Sequence, residues 1–331
     1  MKATARANSN IALVKYWGKR NSELILPYNS SISMTLEGLH TTTTVEYSEK
    51  HKGDSLIMNG TLLTKGPELD EVKKFMDLVR KKTNVHMHAK IATENNFPTA
   101  AGLASSASGF AALAFAATKA GQREMDFREL SILARQGSGS ASRSFHGGFV
   151  EWKKGSREDG IDSFAEQLAP ASHWENLRMI ISIVSTKAKK VKSRAGMGQT
   201  VATSPLYKGW LDSVEKDLND VRTAIKERAF SLLGNVAEMN ALKMHATMIT
   251  TNPSIIYWQP ASVAVMHEVH HMREDGLEGY FTMDAGPQVK VLCLEKNAKQ
   301  IEKNISAIEG VEKTIVCKVG DKAKIINEGL F

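Results

Sequence analysis

The sequence predicts an α+β protein of two domains, and three observations carry that reading. At 331 residues the chain is long enough for two domains and a large buried core. Its first half runs through strand-like segments into a loop of small residues and then an alanine-rich helix, all within 95–121. Near residue 175 a new apolar strand, 179–184, begins a second series of helices and strands. Units over 1–175 and 176–331 are therefore expected.

Taken in order, residues 10–14 and 32–47 read as strands, the second entering TTTTVEY, where β-branched side chains favour extended chain. Within 56–63, Asn59-Gly60 is a strong hairpin signal. Leu69, Val72, Phe75, Met76 and Val79 recur at helical spacing. Val85, Met87, Ala89 and Ile91 alternate with polar residues as in a half-buried strand, which puts His86 and His88 on the solvated face. Pro98 bars helix before it, and from Ser105 an alanine-rich helix runs to a stop at Gly121. Asp126 and Glu129 form a capping box for a helix ending at Gly137. GSGSASRSFHGGFVEW reads as a polar turn returning into a strand through Phe149, Val150 and Trp152, and SREDGIDSFAEQL as irregular chain. Beyond the new strand, Leu211, Val214, Leu218 and Val221 line one helix face and 234–250 form another helix. Strands at 279–284, 288–294 and 312–318, with a helix at 296–307, complete the second half.

The stretch NNFPTAAGLASSAS holds the first chemical signal. Small residues from Ala101, Gly102 and Leu103 through Ser105, Ser106 and Ser108 lead straight into a helix N-terminus. Unpaired N–H groups and the positive end of the helix dipole point the same way there, so the feature suits an anion. Missing side chains let a polyphosphate approach the backbone, and serine hydroxyls add hydrogen bonds or a Mg²⁺ ligand. A small-residue helix packed tightly in a core fits the same letters, because the motif is neither GxxxxGK[ST] nor GxGxxG.

Composition narrows the function class. Hydrophobic content of 42% and charged content of 24% are ordinary for a globular protein. No apolar run approaches the roughly 20 residues that span a bilayer, and the N-terminal residues lack a signal-peptide core, so a cytoplasmic protein is expected. Cys293 and Cys317 are the only cysteines, which argues against a disulfide framework. The net charge of +7 suits polyanionic small molecules as well as nucleic acid. The densest basic cluster, 187–194, has no aromatic residues interleaved for base stacking, and no nucleic-acid role is expected.

Four further stretches carry candidate chemistry. VKYWGKR at 14–20 gathers three cations and two aromatics at a strand end, as an anionic substrate or an ordinary exposed rim would require. GSGSASRS at 137–144 offers the Ser138 and Ser140 hydroxyls, Gly139 for close backbone approach, and Arg143, which can grip a carboxylate bidentately. A solvated turn with a surface salt bridge is the other reading. MDAGP at 283–287 puts Asp284 at a strand end, where an aspartate commonly just caps a turn. HEVHH at 267–271 formally satisfies the HExxH zinc-protease pattern through His267, Glu268 and His271. A chance match on an amphipathic surface helix is the favoured reading, since a pattern with two free positions is weak.

PTAAGLASSAS resembles the phosphate loop of the GHMP kinase superfamily. Together with VKYWGKR, GSGSASRS and MDAGP, in that family's order, the chain resembles the diphosphomevalonate decarboxylases over nearly its whole length. The resemblance implies the GHMP kinase fold: an N-terminal domain of the ribosomal protein S5 domain 2-like type and a ferredoxin-like C-terminal domain, with the site between them. It implies ATP and Mg²⁺ as cofactors, diphosphomevalonate as substrate and a homodimer. By the same resemblance Asp284 approaches the substrate's C3 hydroxyl, Lys15 holds that carboxylate ionised, and Arg143 meets the carboxylate that leaves as CO2. Tyr16, Lys19, Ser138, Gly139 and Ser140 would contact substrate, as would Ser193, Arg194 and Met197 of SRAGM at 193–197. Pro98, Ala101, Gly102, Leu103, Ser105, Ser106 and Ser108 would hold the nucleotide, with Ser106 a candidate Mg²⁺ ligand. Gln288 stands where relatives commonly carry Asn. The nearest alternatives are a decarboxylase or kinase acting on another mevalonate phosphate.

Overall fold

The computed structural model describes residues 1–97, 105–187 and 189–331. In chain order the first half contains β1 (Lys2–Val14), β2 (Lys19–Asn21), β3 (Leu26–Pro27), β4 (Ser31–Ser48), β5 (Ser55–Met58), β6 (Thr61–Leu63), α1 (Pro67–Thr83), β7 (His88–Asn95), α2 (Ser105–Ala120) and α3 (Phe127–Arg135). A 3₁₀ turn (Gly139–Arg143), β8 (Phe149–Trp152) and β9 (Ala165–Ala169) follow. The second half contains β10 (Leu177–Ile183), α4 (Ser193–Thr203), α5 (Tyr207–Glu227), α6 (Phe230–Ile249), α7 (Pro260–Glu274), β11 (Gly279–Met283), β12 (Val289–Leu294), α8 (Glu295–Ser306), β13 (Lys313–Lys318) and β14 (Lys324–Ile326).

The long strands β1 and β4 pair antiparallel from Lys2↔Glu46 to Val14↔Ile32 and form the spine of the first sheet. Its order is β14-β1-β4-β7-β5-β6, with β8 and β9 extending from the first part of β4. The threonine run lies in the middle of this sheet, and its buried hydroxyls pair across strands, Thr44 with Thr4 and Thr43 with Thr93, each at 2.9 Å. Asn59 and Gly60 both take positive φ (47° and 77°), the backbone a tight two-residue hairpin needs. Helix α2 lays Ala111, Ala114, Ala117 and Ala120 into a core with Ala5, Val45 and Ile91, so missing side-chain bulk lets it lie close to the sheet. The capping box read at Asp126 and Glu129 is formed, at 2.8 and 3.0 Å.

The second sheet is antiparallel in the order β11-β12-β10-β13. Its inner strand β10 is buried on both faces, which is why 179–184 reads as an apolar run broken only by Ser182 rather than as an alternation. Met179 and Ile181 join a core with α5 and α6, whereas Ile180 packs with Val265 and Ile301 of α7 and α8. The first of these cores also takes in Ile11, Leu13, Met34 and Leu36 of the first sheet, so α5 and α6 are clasped between the two sheets.

Several elements depart from expectation. Strand β1 begins at Lys2, not residue 10; its start carries no large apolar side chain, and the residues buried there are the small Thr4, Ala5, Ala7 and Ser9. The strand expected from Val85 starts at His88, and β9 forms at the end of the segment read as irregular. Most consequentially, the GSGSASRS segment is not a solvated turn. It is a 3₁₀ turn in which Gly139, Ala141, Ser142 and Arg143 are all buried.

Candidate active site

A cleft of about 470 Å³ opens where the end of β1, the 3₁₀ turn, the start of α2, the start of α4 and the end of β11 converge. Six basic side chains line it (Lys15, Lys19, Arg143, Lys189, Lys192 and Arg194) against the three carboxylates Glu68, Glu71 and Asp284. The excess of cations in a partly dry recess favours a polyanion.

At its floor the register irregularity between Ala12 and Val14 ends β1, and the next residue turns inward. The Lys15 ammonium donates to Ala12 O at 2.7 Å and to Asp284 Oδ1 at 2.9 Å. Its backbone is held as firmly: Lys15 N donates to Asn240 Oδ1 and Asn29 Nδ2 to Lys15 O, each at 2.7 Å. Asn240 is aimed in turn by Asp217, which also takes the Lys243 ammonium. Burial pulls the Lys15 amine down to about 8, against the attraction of Asp284. On Asp284, burial alone would raise the carboxyl, but Lys15 and Lys290 together hold it well below the ordinary carboxylate range. Lys290, wholly buried on β12, reaches Asp284 Oδ2 at 3.2 Å.

Among the described residues Arg143 has no acid directly against it. Its Nε donates to Asn10 Oδ1 at 3.1 Å and one terminal nitrogen to Ser31 Oγ at 2.6 Å. Burial lowers this guanidinium to about 10, with Asp284 and Tyr16 opposing the shift. A cation this dry and still lining the cleft has much to gain from an incoming carboxylate. Tyr16 packs edge-on against Trp152, with ring centres 4.7 Å apart, and both rings would meet a Cβ on Gly139 at 2.8 Å. Only glycine allows that approach. The buried Tyr16 hydroxyl has no hydrogen-bond partner among the described residues.

On the rim, Arg194 at the start of α4 donates to Gly137 O at 3.0 Å and pairs with Glu71 at 3.4 Å. Lys189 donates to Ser193 Oγ and Ala285 O, and burial lowers it to about 8. Burial, then Arg194, lowers Lys19 to about 8. Ser105 and Ser106 open α2 into the cleft, where Ser138 Oγ donates to Ser106 Oγ at 3.3 Å. Ser138, Gly139, Ser140, Ser193 and Met197 also line it.

Of the residues singled out in the sequence, Ser108 lies elsewhere: it is wholly buried, its hydroxyl 2.7 Å from that of Thr41 in β4. Ser108 packs α2 against the sheet instead of lining the cleft. Pro98, Ala101, Gly102 and Leu103 lie outside the described residues. Gln288 is turned away from the cleft, its amide bonded to Val184 N at 2.6 Å and to Ser185 O. It ties the Asp284 turn to the end of β10. The HEVHH residues lie on α7, where Glu268 accepts from Asn304 and His270 pairs with Glu238. Among the described residues no group of three or more His, Cys, Asp or Glu side chains is arranged to hold a metal ion.

Sequence reasoning missed Asn10, Lys189, Asn240 and Lys290. Lys290 carried a signal: a lysine inside QVKVLCL, on a strand otherwise buried, needs an acid partner.

Comparison with known proteins converges on one family. Residues 7–165 match the model for the diphosphomevalonate decarboxylase-like N-terminal domain, and residues 179–326 that for the mevalonate 5-diphosphate decarboxylase C-terminal domain. The diphosphomevalonate decarboxylase mvd1 of Aspergillus fumigatus is 41% identical over 93% of this chain and 81% of its own. The crystal structure of mevalonate diphosphate decarboxylase from Staphylococcus aureus superposes with a TM-score of 0.93 at 42% identity, covering 98% of both chains. A further solved structure, "MDDEF in complex with MVAPP, AMPPCP and Magnesium", gives 0.92 at 44% identity, covering 98% of this chain and 99% of that one.

Proposed function

Because the chain belongs to the diphosphomevalonate decarboxylase family, we propose that the cleft around Asp284 is its active site, with the roles assigned below. The chain is an enzyme of the mevalonate pathway with the GHMP kinase fold. It converts diphosphomevalonate to isopentenyl diphosphate, CO2, ADP and phosphate, using ATP and Mg²⁺.

The residues present fit these ligands. The cleft carries an excess of cations, an orphaned Tyr16 hydroxyl and a serine-lined helix N-terminus. Ser105 and Ser106 would hold nucleotide phosphates at the start of α2, with Ser106 reaching Mg²⁺. When bound, ATP supplies the phosphoryl group that turns the C3 hydroxyl into a leaving group, and Mg²⁺ neutralises charge on the phosphates.

The observation that carries the assignment is Asp284, ionised between two buried amines in the same recess as Arg143. A carboxylate held so acidic is suited to accept a hydrogen bond from the tertiary hydroxyl and fix its direction. Arg143, pre-aimed by Asn10 and Ser31, orients the substrate carboxylate. When CO2 departs, its bonding electrons form the new double bond as the oxygen at C3 leaves. Lys19, Tyr16, Ser138, Gly139 and Ser140 frame the substrate, and Ser193, Arg194 and Met197 close on its diphosphate end. CO2 release with each mevalonate phosphate in the presence of ATP tests the reading. Diphosphomevalonate is the expected substrate, and release from the monophosphate alone would defeat that choice.

The same reading includes units divided near residue 175, a homodimer and no nucleic-acid partner. The two free, buried cysteines support a reducing, cytoplasmic setting. Leu232 and Met239, exposed seven residues apart on α6, offer one apolar strip for a second copy. The mass in solution by light scattering decides the oligomer, and a monomeric mass would remove it.

A further inference from the structure

We infer that Lys290 is a positioning residue for the reaction, clamping the second oxygen of Asp284 so that the carboxylate has one orientation and one charge state. The inference rests on Asp284 being the group that meets the C3 hydroxyl.

Lys290 sits on β12 between Val289 and Val291, the one polar residue in a strand otherwise apolar, and its side chain is fully buried. A methionine or leucine would pack such a position without the penalty of burying an amine. The Lys290 amine leans along its strand to Asp284 Oδ2 at 3.2 Å and Gln288 O at 3.3 Å. Lys15 holds the other oxygen at 2.9 Å. With Lys15 alone, the carboxylate could turn about its last bond and present either oxygen. Held at both oxygens, it keeps its plane, and each oxygen retains a lone pair for the substrate hydroxyl.

The charges facing Asp284 come from every element around it. Lys15 follows β1, Arg143 lies in the 3₁₀ turn, Lys189 precedes α4 and Lys290 is on β12, all cationic. His245 of α6 bonds the Asp284 main chain and, buried beside Lys15, is pushed down to about 3, so it stays neutral. Removing Lys290 leaves the other cations in place. The Asp284 carboxyl therefore rises from its depressed value, and activity that needs it ionised is lost as pH falls through the new value.

The test is the pH dependence of kcat in Lys290→Met and Lys290→Gln beside Asp284→Asn. In both lysine variants the acid limb of log kcat should move up by at least one pH unit, with KM for ATP and for diphosphomevalonate within about threefold of the parent. Turnover one unit below the new limb is then about tenfold down and recovers toward pH 8. Lys290→Gln, which keeps a neutral donor, should lose less plateau kcat than Lys290→Met. An unshifted acid limb overturns the inference, whether kcat is normal or uniformly low, and so does failure of both variants to fold. An active Asp284→Asn would defeat the role of Asp284 itself. An inactive one beside an unshifted Lys290→Met defeats only the inference about Lys290.

Discussion

Lys15 and Asp284 are 269 residues apart in sequence and meet at 2.9 Å. One follows the first strand of the first sheet and the other follows β11 of the second, so the contact exists only when the two sheets are assembled. The same lysine grips the second half again through its main chain at Asn240. The charge relationship at the centre of the site is thus a report on how the halves are docked.

Replacing the carboxylate should therefore separate chemistry from folding. Asp284→Asn should retain the fold and nucleotide binding while turnover falls at least ~10²-fold, the low end for a lost acid–base or orienting group. Steady-state kinetics with a thermal melt checks this. Near-normal turnover would remove Asp284 from the mechanism.

Burial gives the site an early alkaline limit. Lys15, Lys19 and Lys189 all lie near 8 where a free lysine lies at 10.5. They are cationic below that value and lose charge as pH rises through it. The pH profile of kcat/KM should turn down near pH 8, and a plateau extending to pH 10 would show that none of the three must be charged.

Arg194 and Arg143 should differ in what they read. Hydrogen bonds to charged groups contribute roughly 1.5–3 kcal/mol, so Arg194→Ala should raise KM for diphosphomevalonate by about 10- to 150-fold. It should penalise the monophosphate less. Arg143→Ala should harm both substrates alike, since both carry the carboxylate. Equal losses on removing Arg194 would mean that it does not sense the outer phosphate.

The HEVHH segment lies on α7, away from the cleft lining. Joint His267→Ala and His271→Ala substitution should leave ATP-dependent turnover largely intact. Stoichiometric zinc in the parent, lost together with activity in the variant, would revive the metal reading.

Local chemistry was legible in the sequence wherever a residue's own neighbours decide its conformation. The Asn59-Gly60 turn, the Asp126–Glu129 capping box and the Gly121 stop are of this kind, and each formed where read. What sequence could not supply was depth. Arg143 and Ser108 are both polar letters in small-residue runs, yet one is a buried cation lining the cleft and the other a hydroxyl sealed against Thr41. Asn240 stayed hidden for the same reason, because the main chain it holds, at Lys15, lies 225 residues away. Burial is a property of the assembled sheets, and no local period encodes it.

The pairing of β14 with β1 bears on how the molecule is made. Residues Thr4–Arg6 find their partners in Lys324–Ile326, and Lys2 reaches the ring of Phe331 at 4.5 Å. During synthesis the strand that covers the edge of β1 is translated about 310 residues after it. At roughly 5–20 residues per second that edge stands open for tens of seconds, a window in which another growing chain could add to it.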